Sequence, residues 1–254
     1  MLVPEDVLKD RIERFIQHFR TELDQIAAIT GKSGRTFRKL LYLSVLDALS
    51  ICISEPSDTN GKRFAAFVSD FSDWPDGERV SLTHLVELLD RDSNPAFDKV
   101  REKAREMLSH WMPMRSREVF INKDPLPSSF GADWPRENGQ PRKIENVRLE
   151  QLTHYSLLWA HRNYLAHELR DPGYGVDSGH LDSPFYHELE TISYGDGGKQ
   201  STLTTELVYP DVFLLRLCRD ALTNLCRHLI QSKLDPYEGK GYKFGSYWIR
   251  ELNS

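Results

Sequence analysis

One segment of the chain limits the choice of fold more than any other. Between Arg35 and Ser54 the sequence contains FRKLLYLSVLDALSICIS, which is apolar nearly all the way round a helix. A helix without a broad polar face is covered on most sides by other elements. We therefore predict a helical bundle with this segment at its centre.

Other segments with helical spacing supply neighbours for this central helix. Apolar residues recur at helical intervals from Leu8 to Ile26, in a helix that we expect to begin at Pro4 and to end by Thr30. Further helices are predicted at about 62–73, 81–90, 95–111, 146–170 and 210–234. The fold class is therefore all-α in the main, as one domain covering residues 1–254.

Two stretches depart from this helical pattern. Residues 112–146 are rich in proline, and we expect a long loop there that covers a site or is disordered. Residues 185–209 hold two alternating segments joined across GDGGKQ, which predicts an inserted β-hairpin. The aromatic spacing of residues 242–252 indicates a C-terminal edge strand or a packed arm.

Charge and cysteine content narrow the classes of function. The formal net charge is −5, whereas DNA-binding domains are usually strongly basic. Cys52, Cys218 and Cys226 form an odd, sparse set in apolar segments, which is typical of reduced thiols. The beginning of the sequence has no signal-peptide pattern, and no apolar run is long enough to span a bilayer. We expect a cytoplasmic protein without a membrane partner.

The helix predicted at 146–170 holds the candidate site. With about 100° per residue, Tyr155 and Leu158 fall on either side of Arg162, which places the arginine in the apolar stripe. Asn163 and His167 follow at about 100° and 140°, one turn apart on the adjoining edge. A guanidinium on a core-facing stripe needs an anionic partner or an aqueous cleft.

The central helix contains a candidate partner for this arginine. Asp47 is a carboxylate within the stripe formed by Leu40, Leu43 and Ile51. Since each of the two opposite charges lies on the apolar face of its helix, we expect Asp47 and Arg162 to meet.

The spacing of Arg162, Asn163 and His167 resembles the motif of the HEPN superfamily (higher eukaryotes and prokaryotes nucleotide-binding domain). In that motif an arginine, often followed by a polar residue, precedes a histidine by four to six intervening residues. The resemblance implies a small helical bundle, and an acidic residue on an earlier helix, which Asp47 matches. It implies a metal-independent endoribonuclease with no cofactor and no bound metal.

The residue types suit this chemistry. His167 is expected to act as the base that takes the 2′-hydroxyl proton, because histidine titrates near neutral pH. Arg162 is expected to stabilise the phosphorane, Asn163 to position the phosphate and Asp47 to orient Arg162. The predicted partners are RNA and a second copy of the chain, with an antitoxin or another component of a toxin–antitoxin or phage-defence system. Some antitoxin-paired members carry a tyrosine where this chain has Leu169.

Other interpretations stay open. The same residues are compatible with a structural Arg162–Asp47 pair, or with a non-catalytic helical module that binds a nucleotide, RNA or a partner protein. A metal-dependent phosphohydrolase using His154 and His161 is a weaker alternative, and we favour a solvated polar face for these two histidines. Basic residues in and beside the loop, with Phe130 and Trp134 between them, suggest a binding path for single-stranded nucleic acid. Nearby acidic residues largely cancel the basic charge, so we favour a solvated loop.

Overall fold

A computed structural model describes residues 4–53, 59–111, 118–173, 181–195 and 198–237. The chain is mainly α-helical with small antiparallel sheets, as the sequence predicts. The helices are α1 Glu5–Ala27, α2 Gly34–Ser50, α3 Asn60–Phe71, α4 Leu82–Arg91, α5 Asp98–Ser109, α6 His154–Glu168 and α7 Asp211–Ser232. The strands are β1 Glu118–Phe120, β2 Arg136–Glu137, β3 Gln140–Pro141, β4 Phe185–Gly195 and β5 Gly198–Val208. The C-terminal strand predicted at 242–252 lies outside the described residues.

The residues group into two compact units. The first unit consists of residues 1–74, 159–171 and 211–254, and the second consists of 75–158 and 172–210. Helix α6 therefore contributes its first residues to the second unit and the rest to the first. The single-domain organisation stays a prediction.

In the first unit, α2 lies at the centre. It packs against α1, α3 and α7, and α7 also packs against α1 and α3. Side chains of α2 such as Leu43, Leu46 and Leu49 are fully buried. This confirms the central position predicted from the apolar sequence of α2.

In the second unit, α4 and α5 pack together around Phe97 and Val100. The sheet has the order β1–β4–β5 and is antiparallel throughout, with Phe185 opposite both Phe120 and Val208. The hairpin predicted at 185–209 is confirmed.

The predicted loop at 112–146 needs a correction in its described part, residues 118–146. This segment forms β1, β2, β3 and short 3₁₀ turns, and Phe130, Trp134 and Ile144 are buried in the core of the second unit. The indole N–H of Trp134 donates to the carbonyl of Arg142 at 2.9 Å. Because burial of these apolar side chains fixes the segment, Phe130 and Trp134 are not available to stack on a nucleic acid.

Helix α6 begins eight residues later than the sequence suggests. Glu145 and Asn146 have positive φ angles of 46° and 72°, and a 3₁₀ turn occupies Leu149–Leu152. Thr153 is extended and forms an antiparallel bridge with Val80. These nonlocal backbone hydrogen bonds replace the helical ones, so the first helical turn starts only at His154.

No helix in the described parts of the chain is both long enough and apolar enough to cross a membrane.

Candidate functional site

Arg162 and Asp47 meet in the first unit, as the sequence predicts. The Nη2 atom of Arg162 donates to Oδ2 of Asp47 at 3.1 Å, so the pair joins α6 to α2. The side chain of Arg162 keeps 26% of its surface exposed and that of Asp47 keeps 16%. The pair is therefore partly desolvated but open to solvent on one side.

The position of Arg162 on α6 differs from the sequence interpretation. The buried face of α6 is formed by His154, Leu158, His161 and Leu165, and Arg162 lies at the edge of this face. The helical projection treated both histidines as outward-facing, which rotated the inferred stripe. They are buried because each has polar partners inside its own unit.

A second arginine, which the sequence interpretation missed, shares the same carboxylate. Nη2 of Arg63, on α3, donates to Oδ1 of Asp47 at 2.7 Å. Its Nε donates to Ser50 Oγ at 2.9 Å and its Nη1 to Asn60 Oδ1 at 3.1 Å. Arg63 lies one turn before the buried Phe67 on the same helix face, which is the signal that could have identified it.

An aromatic side chain supports the guanidinium of Arg162. Its Cζ atom lies 5.2 Å from the ring centroid of Trp159, a cation–π distance. The other neighbours of this indole are Phe64, at 5.4 Å between centroids, and Gly61. A Cβ on Gly61 would lie 2.9 Å from Trp159 Cδ1, so the indole occupies space that only a glycine leaves.

Asn163 adds a further polar contact. Its Oδ1 atom accepts a hydrogen bond from Nη1 of Arg162 at 3.2 Å. The structure thus brings together Arg162, Asn163 and Asp47, three of the four predicted site residues. The contact orients the amide, and its NH₂ group has no acceptor among the residues that the structure describes.

His167 is placed differently from the other three. It is exposed one turn after Asn163, and no hydrogen bond or ion pair joins its side chain to another residue in the described ranges. Leu169, two residues later, has a φ of 53° and is 63% exposed. Within one chain the expected base therefore lies beside the arginine cluster without contacting it.

The end of α6 is fixed by a buried charged cluster. Nζ of Lys39 and Oγ1 of Thr36, both on α2, donate to Asp171 at 2.9 and 3.0 Å. His161 Nε2 lies 3.9 Å from Oδ1 of the same carboxylate. Burial and the charge of Lys39 lower the pKa of His161 to about 4, while Asp171 opposes this shift. His161 is therefore neutral and internal, which corrects the expected solvated face.

His154 belongs to a separate network in the second unit. Its Nε2 donates to Asp124 Oδ2 at 2.7 Å, and its Nδ1 shares a hydrogen bond of 3.0 Å with the Tyr209 hydroxyl. The Tyr186 hydroxyl lies 2.6 Å from Asp124 Oδ2, and the Leu82 amide donates to Oδ1 at 2.8 Å. Burial, with the charge of Asp124, raises the pKa of both tyrosines well above the ordinary value. His154 is thus fully buried, not solvated as expected.

These positions bear on the metal-dependent alternative. His154 and His161 belong to different polar clusters: His154 is hydrogen-bonded to Asp124, and His161 Nε2 lies 3.9 Å from Asp171. Among the residues that the structure describes, no group of three or more His, Cys, Asp and Glu side chains has the arrangement of a metal site.

The cluster around Asp47 has the properties of an anion-binding site. Two guanidinium groups share one carboxylate, and an amide and an exposed histidine lie next to them on α6. Arginine donors match the geometry of phosphate oxygens, and histidine exchanges protons near neutral pH. Comparison with protein-family models, with curated proteins and with solved structures finds no match for this chain.

Proposed function

We propose that this protein is a metal-independent endoribonuclease of HEPN type that acts in the cytoplasm. The observation that supports the proposal most directly is the half-buried pair of Arg162 with Asp47, since the helix of Arg162 also presents Asn163 and the exposed His167. The pair holds a guanidinium at the surface, and His167, further along the same helix, is exposed to solvent. A cation and a base are the two groups that RNA cleavage without a metal requires.

In the proposed reaction, His167 removes the proton from a ribose 2′-hydroxyl. The 2′ oxygen then forms a bond to the adjacent phosphorus, and the bond from phosphorus to the 5′ oxygen breaks. The 5′ oxygen takes up a proton and leaves, so the products are a 2′,3′-cyclic phosphate and a 5′-hydroxyl. Arg162 stabilises the negative charge on the phosphorane, Asn163 positions the phosphate, and Asp47 keeps Arg162 in place.

The site is completed by a second copy of the chain. In one chain His167 is exposed, while scission needs a cleft that restrains both phosphate and water. The apolar Leu169 beside it is 63% exposed and supplies surface for an isologous contact. Light scattering is expected to give twice the 29.4 kDa chain mass. An antitoxin or another defence-system component is a further proposed partner.

The experiment is cleavage of a defined RNA by purified protein in excess EDTA, with analysis of the new ends. We expect 2′,3′-cyclic phosphate ends, and we expect His167→Ala to abolish cleavage while circular dichroism stays unchanged. His18→Ala is the matched control, because His18 is also exposed, at 62%, on α1. Full activity of the His167→Ala protein would show that His167 is not the base in the reaction.

A second candidate function is a non-catalytic module that binds a nucleotide, RNA or a partner protein through the same cluster. It is favoured because, among the described residues, no side-chain hydrogen bond or ion pair connects the exposed His167 to the arginine cluster. A persistent monomer that binds RNA without cutting it would favour this module over the nuclease.

A further inference from the structure

Arg63 has no part in the proposed reaction, yet it shares an anion with the residue that does. Asp47 accepts from Arg63 at 2.7 Å through Oδ1 and from Arg162 at 3.1 Å through Oδ2. One negative charge therefore holds two positive charges, so the three side chains carry a net charge of about +1. A structural ion pair needs only one of the two arginines.

The two guanidinium groups also retain unused hydrogen-bond donors. Arginine has about five N–H donors. Among the described residues, Arg63 donates to Ser50, Asn60 and Asp47, and Arg162 donates to Asn163 and Asp47. The Nε atom of Arg162 is buried and has no partner within these ranges.

The cluster is accessible to a ligand from solvent. Arg162 is 26% exposed and Arg63 is 16% exposed, values between those of a core ion pair and a surface one. Electrostatic attraction is stronger at such a half-buried position than between fully exposed charges. An oxyanion with several acceptor atoms would supply the acceptors and the negative charge that the cluster lacks.

We infer that Arg63 and Arg162 together bind one phosphodiester group of single-stranded RNA, with Asp47 as the bridge that holds both guanidinium groups in place. The inference rests on the proposed function, because it specifies the substrate contact at the same site. It adds Arg63 as a binding residue that holds the scissile or the adjacent phosphate.

The test is binding of a fluorescent 2′-O-methyl oligonucleotide, which has no free 2′-hydroxyl and so resists the proposed cleavage. Anisotropy is measured at several salt concentrations. Arg63→Gln should weaken binding roughly tenfold through loss of charged hydrogen bonds. It should also reduce the slope of log affinity against log salt by about 0.7, the value for one phosphate contact on a single strand.

Three variants complete the design. Arg63→Lys should keep the salt slope but lose part of the affinity, because a lysine cannot form the bidentate contact. Asp47→Asn should weaken binding, because the amide has one acceptor where the bridge uses both carboxylate oxygens, so one guanidinium group is no longer held in place. Arg219→Gln is the control: its side chain is 57% exposed, it pairs with Asp24, and its loss should leave binding unchanged.

Wild-type affinity and salt slope in folded Arg63→Gln would overturn the inference. If that variant fails to fold, Arg63→Lys decides, since full affinity in a folded lysine variant would leave Arg63 a structural role only. Oligonucleotide binding that depends on Arg63, without cleavage of unmodified RNA, would refute the nuclease alone. Cleavage with binding indifferent to Arg63 would refute the inference alone.

Discussion

The polar network around Asp124 and the cluster around Asp47 both centre on a carboxylate. They differ in burial and in whether the hydrogen-bond donors around the carboxylate are all used. The side chains of Asp124 and His154 are 0% exposed, and the Asp124 carboxylate accepts from Leu82, His154 and Tyr186. Asp47 is 16% exposed and accepts hydrogen bonds from two arginines, which retain unused N–H donors. A saturated, inaccessible network stabilises a fold, whereas an unsaturated, accessible one can bind a ligand.

The largest expected effect tests the structural side of this comparison. Asp124→Ala would leave the buried polar groups around it without their acceptor. We expect the free energy of unfolding to fall by about 3–5 kcal/mol, measured by urea denaturation. Asp133→Ala is the control, because the pair of Asp133 with Lys103 is solvent-exposed and should contribute far less to stability than the buried Asp124 network. Equal losses in the two variants would show that the Asp124 network is not a major source of stability.

A smaller loss of stability is expected in the Asp47 cluster. Asp47→Ala would leave Arg63 and Arg162 without their shared anion, but both are partly solvated, so we expect about 1–3 kcal/mol. Asp47→Asn should lower the free energy of unfolding by less than Asp47→Ala, because the amide oxygen still accepts a hydrogen bond. Denaturation of both variants checks this order. A loss in Asp47→Ala as large as that in Asp124→Ala would remove the distinction between the two regions.

The sequence predicts the Asp47–Arg162 contact because both residues are charges within apolar helical patterns. Arg63 was missed because it lies in the polar first turn of α3, where only its spacing of one turn from the buried Phe67 places it on the inner face. The late start of α6 depends on the bridge between Thr153 and Val80, a pairing that no local pattern contains.

The burial of His154 and His161 shows the same limit from another direction. Helical periodicity assigns polar residues to the outer face, and it does so correctly when they lack internal partners. Here the partners are two carboxylates. Asp124 is distant in sequence from His154, and Asp171 lies beyond the end of the helix that holds His161. The orientation of α6 therefore depends on tertiary contacts with these two carboxylates, and the apolar pattern of the helix alone misplaces it.

The last effect appears only when the pH is lowered and concerns His161, which is buried like the Asp124 network but belongs to the same unit as Asp47. Burial is the main cause that lowers its pKa to about 4 from the ordinary value of 6.5, and Lys39 lowers it further. Between these two pH values the unfolded chain binds a proton that the folded chain does not. The free energy of unfolding should therefore fall as the pH decreases from 6.5 towards 4, by up to about 1.4 kcal/mol per pH unit. Above pH 6.5 this contribution to stability is fully present.

Urea denaturation of wild type and His161→Gln at a series of pH values isolates the contribution of His161 to the pH dependence of the free energy of unfolding. Between pH 6.5 and 4 the free energy of unfolding of the variant should depend less steeply on pH. Burial also lowers the pKa of His84, and this contribution to the slope is present in both proteins. His18→Gln is the control, because its exposed ring should leave the slope unchanged. An unchanged slope in His161→Gln would mean that the folded protein accepts a proton at this position. The end of α6 would then resemble the open Asp47 cluster more than the closed Asp124 network.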